Sequence, residues 1–147
     1  MADFNPSDVN FAARVRKSFD RQQVMKTIGA KMIKIGAGEV QIEFLYDLAW
    51  TQQARYIHAG IITTIADSAC GYAAYTLMPA DSEVLSVEYK INMLSPAKGE
   101  RFIAIGKVIK PGRTLTACRS EVMAYDSGEE KLIATMQATM MTLLNGQ

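Results

Sequence analysis

The segment Tyr56–Met78, YIHAGIITTIADSACGYAAYTLM, is the most apolar stretch of the chain, and Asp67 stands near its middle. An apolar segment of this length must be covered by other parts of the fold. Its composition and the following Pro79 predict one long helix from about Ala59 to about Leu77. A central Asp costs about 3 kcal/mol in a bilayer, so we expect a buried helix and not a membrane span.

The composition is typical of one globular domain. The chain has 147 residues, of which 49% are hydrophobic and 21% are charged. The net charge is +1, and the Lys and Arg residues are spread along the chain. They form no basic patch, which argues against nucleic acid as a partner. Two cysteines and one histidine argue against a disulfide framework and against a metal site. The first residues lack an apolar signal core, so we expect a cytoplasmic protein.

Apolar runs separated by turn signals surround the helix. Before it, two short runs meet at Gly36-Ala37-Gly38, which predicts a hairpin. After Pro79, four runs follow, at positions 86–93, 101–110, 114–125 and 131–144. In the first of these, Val87, Tyr89, Ile91 and Met93 alternate with polar residues and predict a strand with one apolar face. We therefore expect an α+β fold in which a curved antiparallel sheet wraps around one long central helix.

The residues before this domain read as short helices. Ser7 is a plausible N-cap for the first helix, and Gly29 is a suitable C-terminal residue for the second. We expect residues 1–28 to form an N-terminal helical segment packing on the domain, and residues 29–147 to form the domain itself.

Small residues surround Asp67 at helical spacing. They are Gly60, Thr63, Thr64, Cys70, Gly71 and Ala74. This stripe would let another backbone or a ligand approach the helix. Two interpretations of Asp67 remain open: a buried charge paired across a dimer contact, or a catalytic carboxylate whose basicity is raised by desolvation.

The helix start is a second candidate for chemistry. Its first turn, His58-Ala59-Gly60, follows a loop and offers free N–H groups to a developing oxyanion. A lone histidine at a helix start is typical of a cap. Asp67 follows His58 by nine residues, about 13 Å along the helix axis, so one site could hardly use both from the same helix. The spacing predicts a site shared between two protomers.

These residues resemble a known motif. His58-Ala59-Gly60 stands at a helix start with Asp67 nine residues after the histidine, Gln52 six residues before it, and Ser86 on the next strand. The SPAKGE and KPGRT segments fit the same pattern. From Gly29 to its C-terminal end, the sequence resembles the hotdog-fold acyl-CoA thioesterases of the PaaI type.

The resemblance implies hydrolysis of an acyl-CoA to a free acid and CoA, without a metal or a cofactor other than the CoA of the substrate. It implies that Asp67 is the general base or the nucleophile and that the Ala59 N–H binds the thioester oxygen. Gln52 would position water or the carbonyl, and Ser86 would orient the water. It also implies homodimers, joined sheet edge to sheet edge, and dimers of such dimers.

The remaining residues implied to contact substrate or CoA are His58, Gly60, Lys110, Gly112, Arg113 and Thr114. One position departs from the family pattern, because Ala59 replaces the first glycine of the motif. Its N–H survives, although a positive φ there would strain alanine by about 1 kcal/mol.

Three other functions remain open. The first is a non-catalytic protein that binds or senses acyl-CoA on the same fold. The second is a hotdog hydratase, which usually pairs a histidine with an acid about five residues away; His58 has no acid within eight residues. The third is a structural dimer in which Asp67 is paired. The acyl group is not indicated by the sequence.

Overall fold

The computed structural model describes residues 3–145, so the outermost positions of the two predicted segments lie outside the described residues. Three helices and six strands follow one another along the chain. They are α1 (Phe11–Phe19), α2 (Gln23–Ile28), β1 (Lys31–Gly36), β2 (Glu39–Leu45), α3 (Ala59–Tyr75), β3 (Ser82–Met93), β4 (Arg101–Lys110), β5 (Leu115–Asp126) and β6 (Glu129–Leu144). A short 3-10 turn, Leu48–Trp50, lies in the loop before α3.

The strands form one sheet in the order β1-β2-β4-β5-β6-β3, and every neighbouring pair is antiparallel. Helix α3 packs against strands β2 to β6. These observations confirm the predicted α+β class, with an antiparallel sheet around one long helix. The predicted hairpin is also confirmed, since β1 and β2 join at Gly38, whose φ of 75° suits glycine.

Helix α3 lies very close to the middle of the sheet. Gly106 on β4 faces the backbone of α3, and a Cβ atom at Gly106 would lie 2.1 Å from the carbonyl oxygen of Ala69. Ala66, Ala69 and Ala73 on the helix are fully buried. Small side chains on both elements therefore allow this close approach, which fixes the position of α3 in the fold.

The N-terminal helices share the core of the domain. Val15 and Phe19 of α1 and Met25 and Ile28 of α2 are buried within the same apolar cluster as α3. The guanidinium of Arg14 donates to the carbonyls of Tyr75 and Met78, at distances of 3.1 and 2.8 Å. Because a cation there binds the last carbonyls of α3, the N-terminal segment is tied to the C-terminal end of that helix.

One predicted helix cap is wrong and one is confirmed. Helix α1 begins at Phe11 with Asn10 in the N-cap position, and Ser7 lies before the helix, where its hydroxyl donates to the carbonyl of Leu77. The side chain of Asp8 instead accepts from the Asn10 N–H, which makes the turn that precedes α1. Gly29 ends α2 with a φ of 74°, as predicted.

Four strands, β1, β3, β4 and β6, contain register shifts that simple alternation does not predict, and two of these shifts change the side of the sheet that a candidate residue faces. In β3, Ser86 pairs with Met140 and Glu88 pairs with Thr139, which leaves Val87 as an extra residue. Ser86 therefore faces the helix, on the same side as Tyr89, whereas regular alternation would place these two residues on opposite faces. A similar shift after Met32 in β1 leaves Ile33 46% exposed, outside the core.

Within residues 3–145, no helix has the length and apolarity that crossing a membrane requires. The same residues contain no group of three or more His, Cys, Asp or Glu side chains that could hold a metal ion. Cys70 and Cys118 are free and buried, and burial raises the pKa of the Cys70 thiol to about 12. At neutral pH this thiol stays protonated and unreactive.

The contact between Gly106 and Ala69 can be tested by adding one methyl group. We expect Gly106→Ala to lower the free energy of unfolding by about 2 kcal/mol or more, because the new Cβ overlaps the Ala69 carbonyl. Urea unfolding at a fixed protein concentration measures the difference. Gly36→Ala is the matched control in a strand, since its nearest neighbouring atom is 3.9 Å away. Equal unfolding midpoints for the two variants would contradict the close approach.

Candidate active site

Asp67 lies half-buried on α3, and its side chain has one hydrogen-bond partner among the described residues. Its Oδ1 atom accepts a hydrogen bond of 2.7 Å from the hydroxyl of Ser86. Burial raises the pKa of the Asp67 carboxyl above its ordinary value, and the Ser86 hydrogen bond only partly opposes that rise. Within residues 3–145, no lysine, arginine or histidine forms an ion pair with Asp67. The site therefore holds a carboxylate that is a stronger base than an exposed one.

The bulge at Val87 directs Ser86 to Asp67. With strict alternation along β3, Ser86 would face away from the helix. The extra residue turns it inward, where its hydroxyl also lies 3.4 Å from the sulfur of Met140 on β6. Bulges are common beside active sites because they re-aim one side chain without changing the strand.

A small cavity of about 160 Å³ lies beside Asp67. Its walls combine Asp67 and Ser86 with polar side chains from the N-terminal segment and from α3, among them Ser18, Gln22, Ser68 and Tyr72. Sequence reasoning missed Ser18 and Gln22, because they belong to no motif and reach the site only through the packing of α1 and α2. The burial of Val15 and Phe19 in the core is the tertiary contact that brings them there.

The start of α3 leaves one backbone donor unused. The Nδ1 atom of His58 accepts from the Gly60 N–H at 2.8 Å, so His58 is the N-cap of the helix. The N–H groups of Ile61 and Ile62 both donate to the His58 carbonyl. Within the described residues, the Ala59 N–H therefore has no acceptor and is available to a ligand. Ala59 is helical with a negative φ, so its substitution for glycine causes no backbone strain.

Gln52 lies in the loop beside this helix start, and the loop orients its side chain. The Oε1 atom of Gln52 accepts from the Ala54 N–H, while its backbone N–H donates to the Tyr56 carbonyl. Arg55 adopts a left-handed φ of 66° to close the turn. The amide nitrogen of Gln52 has no acceptor in residues 3–145, so it is a second available donor.

Gln52 and Ala59 line a different cavity from Asp67. This cleft has a volume of about 380 Å³, and its other walls are mostly apolar, from Ile57, Ile62, Met93 and Ile133. Ala59 and Asp67 are eight residues apart on α3, which separates them by about 12 Å. One chain therefore carries two separate groups of candidate residues: two N–H donors in one cleft, and a carboxylate with its hydroxyl in another cavity.

The predicted CoA-binding turn lies between β4 and β5. Lys110, Gly112, Arg113 and Thr114 are exposed there, and the Thr114 carbonyl accepts from the N–H of Thr142 at 2.8 Å. Thr116, near the start of β5, pairs with Met140 on β6, and Met140 pairs in turn with Ser86 on β3. Because two strand spacings span about 10 Å, the turn lies at the Asp67 end of the sheet.

Only part of the predicted stripe of small residues is accessible. Gly60, Thr63, Thr64 and Asp67 are partly or fully exposed, and the two threonine hydroxyls donate to the carbonyls of residues four positions earlier. In contrast, Cys70, Gly71 and Ala74 are buried. The rest of the fold covers the second half of the stripe, so a ligand can approach the helix only along the first half.

Comparisons with known proteins concern the family and the fold of the chain. Residues 55–131 match the model of the thioesterase superfamily. A thioesterase family protein from Silicibacter pomeroyi is 50% identical, with a TM-score of 0.91 over 92% of this chain and 99% of that one. The PaaI protein of Escherichia coli, from the phenylacetic acid degradation operon, has a TM-score of 0.81 over 91% of this chain and 94% of that one. Its identity is 15%, so it supports the fold alone.

A protein of Saccharolobus solfataricus, named as a candidate esterase, is 32% identical over 104 residues, which cover 71% of this chain and 74% of the relative. The order of elements in the sheet and helix agrees with the family match. The chain belongs to the thioesterase superfamily and has the hotdog fold.

Proposed function

We propose that this protein is an acyl-CoA thioesterase, which hydrolyses an acyl-CoA to a free carboxylic acid and CoA. The observation that carries the proposal is the half-buried Asp67 carboxylate, which has a hydroxyl neighbour, a raised pKa and no cation beside it in the described residues. A carboxylate paired for structural reasons would have a cation or several N–H donors nearby. Among the described residues Asp67 has neither, and its unpaired carboxylate is suited to removing a proton from water.

In the proposed mechanism, Asp67 takes a proton from a water molecule that Ser86 helps to orient. The resulting hydroxide attacks the thioester carbon, and the negative charge on the carbonyl oxygen is stabilised by the N–H of Ala59 and the amide of Gln52. The C–S bond then breaks, and Asp67 returns its proton to the departing CoA sulfur. In the alternative that uses the same residues, the Asp67 carboxylate attacks the thioester carbon directly and the C–S bond breaks with release of the CoA thiolate. Water then hydrolyses the mixed anhydride, which releases the acid and regenerates Asp67.

This mechanism requires two chains. The 12 Å between Ala59 and Asp67 prevents one thioester from contacting both in the same chain. We propose a homodimer in which Asp67 and Ser86 of one protomer face Gln52 and Ala59 of its partner. Strand β3 supports this, because it is a sheet edge that exposes Leu85, Val87 and Tyr89 by about half.

Further parts of the proposal concern CoA and the assembly. Lys110 and Arg113 would bind the phosphates of CoA, with Gly112 and Thr114 shaping the turn. His58 would act by capping α3, because its imidazole accepts from the Gly60 N–H and leaves the Ala59 N–H available to the substrate. No cofactor beyond the CoA of the substrate is needed, and two such dimers would associate. Free buried thiols are typical of a reducing compartment, so we propose a cytoplasmic location.

Asp67→Asn tests the base. We expect a loss of about 100-fold or more in kcat on every accepted acyl-CoA, because the amide cannot take a proton. Thiol release from short, medium, long and aromatic acyl-CoAs measures the loss. Rates equal to the wild type would contradict the mechanism. Binding of acyl-CoA by the wild-type protein without any thiol release would indicate a binding or sensing protein instead.

The stability of the same variant tests whether Asp67 is structural. Because the folded-state pKa of Asp67 is raised, folding favours its protonated form, and stability is lost as pH rises through that pKa. Asparagine removes this loss, so Asp67→Asn should melt at or above the wild-type temperature at neutral pH. The difference should disappear in acid, where Asp67 is protonated. A large decrease in melting temperature at neutral pH would instead support the paired, structural role.

Ser86→Ala tests the hydroxyl. The hydrogen bond from Ser86 lowers the pKa of Asp67, so its removal should raise that pKa further. Since the base must be ionised, the acidic limb of the profile of kcat/KM against pH should move to higher pH. Ser127→Ala, in the exposed turn between β5 and β6, is the matched control and should leave the profile unchanged. An unmoved acidic limb in Ser86→Ala would contradict the assignment.

The shared site can be tested by mixing two inactive variants. Asp67→Asn and Gln52→Ala each damage both sites of their own homodimer. A mixed dimer contains one intact site, made of Asp67 from one chain and Gln52 from the other. After random exchange of subunits, activity should recover to about a quarter of the wild-type value, because half the dimers are mixed and each has one of two sites intact. No recovery, with mixed dimers present by mass spectrometry, would contradict a shared site.

A further inference from the structure

The cavity beside Asp67 is closed on one side by Gln22, which lies outside the residues matched by the family model. The backbone of Gln22 is fixed, since its N–H donates to the Phe19 carbonyl and its own carbonyl accepts from the Met25 N–H. Phe19 and Met25 are buried in the core on either side of it. The wall that Gln22 forms is therefore anchored by the core and is not a loose terminal segment.

The side chain of Gln22 has no structural task at its own helix. Gln22 occupies the N-cap position of α2, but its side chain makes no capping hydrogen bond. Instead, its Oε1 atom accepts from the hydroxyl of Ser68 at 3.4 Å. Ser68 follows Asp67 on α3 and is only 7% exposed. Within residues 3–145 the amide nitrogen of Gln22 has no acceptor, so it can donate to a molecule in the cavity.

The remaining walls of the cavity are mostly polar and include Glu83, with Gly71 and Val84 as the apolar members. The hydroxyls of Ser18 and Tyr72 lie 3.3 Å apart at its edge. Burial raises the pKa of the Tyr72 phenol, so this group stays a neutral hydroxyl across the physiological range. An alkyl chain that filled the cavity would cover the Gln22 amide nitrogen and the Asp67 carboxylate without forming hydrogen bonds to them, which is costly. The cavity is therefore unsuited to a purely aliphatic occupant.

The volume of the cavity limits the size of its occupant. At about 160 Å³ it equals roughly five water molecules at about 30 Å³ each. A group of about four to six non-hydrogen atoms fits this space, whereas the tail of a medium or long fatty acyl chain does not. The occupant must also reach Asp67, because Asp67 and Ser86 belong to the same walls.

We propose that this cavity receives the acyl group and that Gln22 is a specificity-determining residue, which selects short acyl groups carrying a hydroxyl or keto oxygen. The Gln22 amide nitrogen donates to that oxygen, and Ser68 holds the amide in position through its Oε1 atom. This inference rests on the proposed thioesterase function, since it assigns the acyl end of the same substrate. It involves residues of α2 and α3 that the thioesterase motif does not contain.

The test compares matched pairs of acyl-CoA substrates. For the wild-type protein, we expect kcat/KM for 3-hydroxybutyryl-CoA to exceed that for butyryl-CoA by about tenfold, with octanoyl-CoA poorer still. Gln22→Met keeps the length of the side chain and removes its amide, so the ratio should fall by about tenfold. Gln23→Met is the matched control, because Gln23 is the exposed neighbour and does not line the cavity. Its ratio should equal that of the wild type.

Ser68→Ala provides a second variant, which places alanine at a helical position and so preserves the fold. It should lower the same ratio, by less than Gln22→Met does, because the amide loses its support but remains present. Circular dichroism compares the fold of all three variants with the wild type. A wild-type ratio of one or below, or an unchanged ratio in a folded Gln22→Met or Ser68→Ala variant, would overturn the inference while leaving hydrolysis intact.

Failure of the thioesterase function itself gives a different result. In that case no acyl-CoA is hydrolysed, and binding is measured instead of rates. The measurement compares the dissociation constants of non-hydrolysable analogues of 3-hydroxybutyryl-CoA and butyryl-CoA. A preference for the hydroxylated analogue that is lost in Gln22→Met supports the role of Gln22 without catalysis. Equal affinities, or no binding of either analogue, overturn it.

Discussion

The close approach of α3 to the sheet is the constraint on which the rest of the structure depends. With Gly106 against the backbone at Ala69, the helix packs directly on the sheet at a distance that a larger residue at position 106 would prevent. The sheet covers the second half of the helix, and its first turn and the face that carries Asp67 remain accessible. Packing therefore determines that the first turn of α3 and the Asp67 carboxylate are the parts of the helix that a substrate can reach.

Much of this arrangement can be predicted from the sequence, because it depends on local patterns. The long apolar segment that ends near Pro79, the turns at glycine and proline, and the spacing from Gln52 to His58 to Asp67 are all visible in one dimension. They are sufficient to predict the helix and the antiparallel sheet, and they single out Asp67 and the helix start, whereas Gln52 and Ser86 came from the resemblance to the family. The resemblance of the motif added the family, which comparison with known proteins confirms.

The features that the sequence does not reveal depend on contacts between distant segments. The bulge at Val87 adds one residue to a strand of regular alternation, and no residue type marks it, yet it determines whether Ser86 meets Asp67. Gln22 reaches the cavity only because Val15 and Phe19 are buried beneath it. The end of α2 was predictable, because Gly29 can adopt the positive φ that ends a helix. The start of α1 was not, since the Ser7 hydroxyl donates to the Leu77 carbonyl and Asn10 takes the N-cap position.

The cap that His58 places on α3 has a stereochemical consequence. A thioester carbonyl is planar and has two faces, and a row of equivalent donors would accept its oxygen in several orientations. The imidazole and the His58 carbonyl engage the next three N–H groups of the helix, which leaves Ala59 as the backbone donor. In the proposed dimer, an oxygen held by that donor and by Gln52 turns one prochiral face of the carbonyl towards Asp67. Attack on a single face of the carbonyl then follows from the His58 cap at the start of α3.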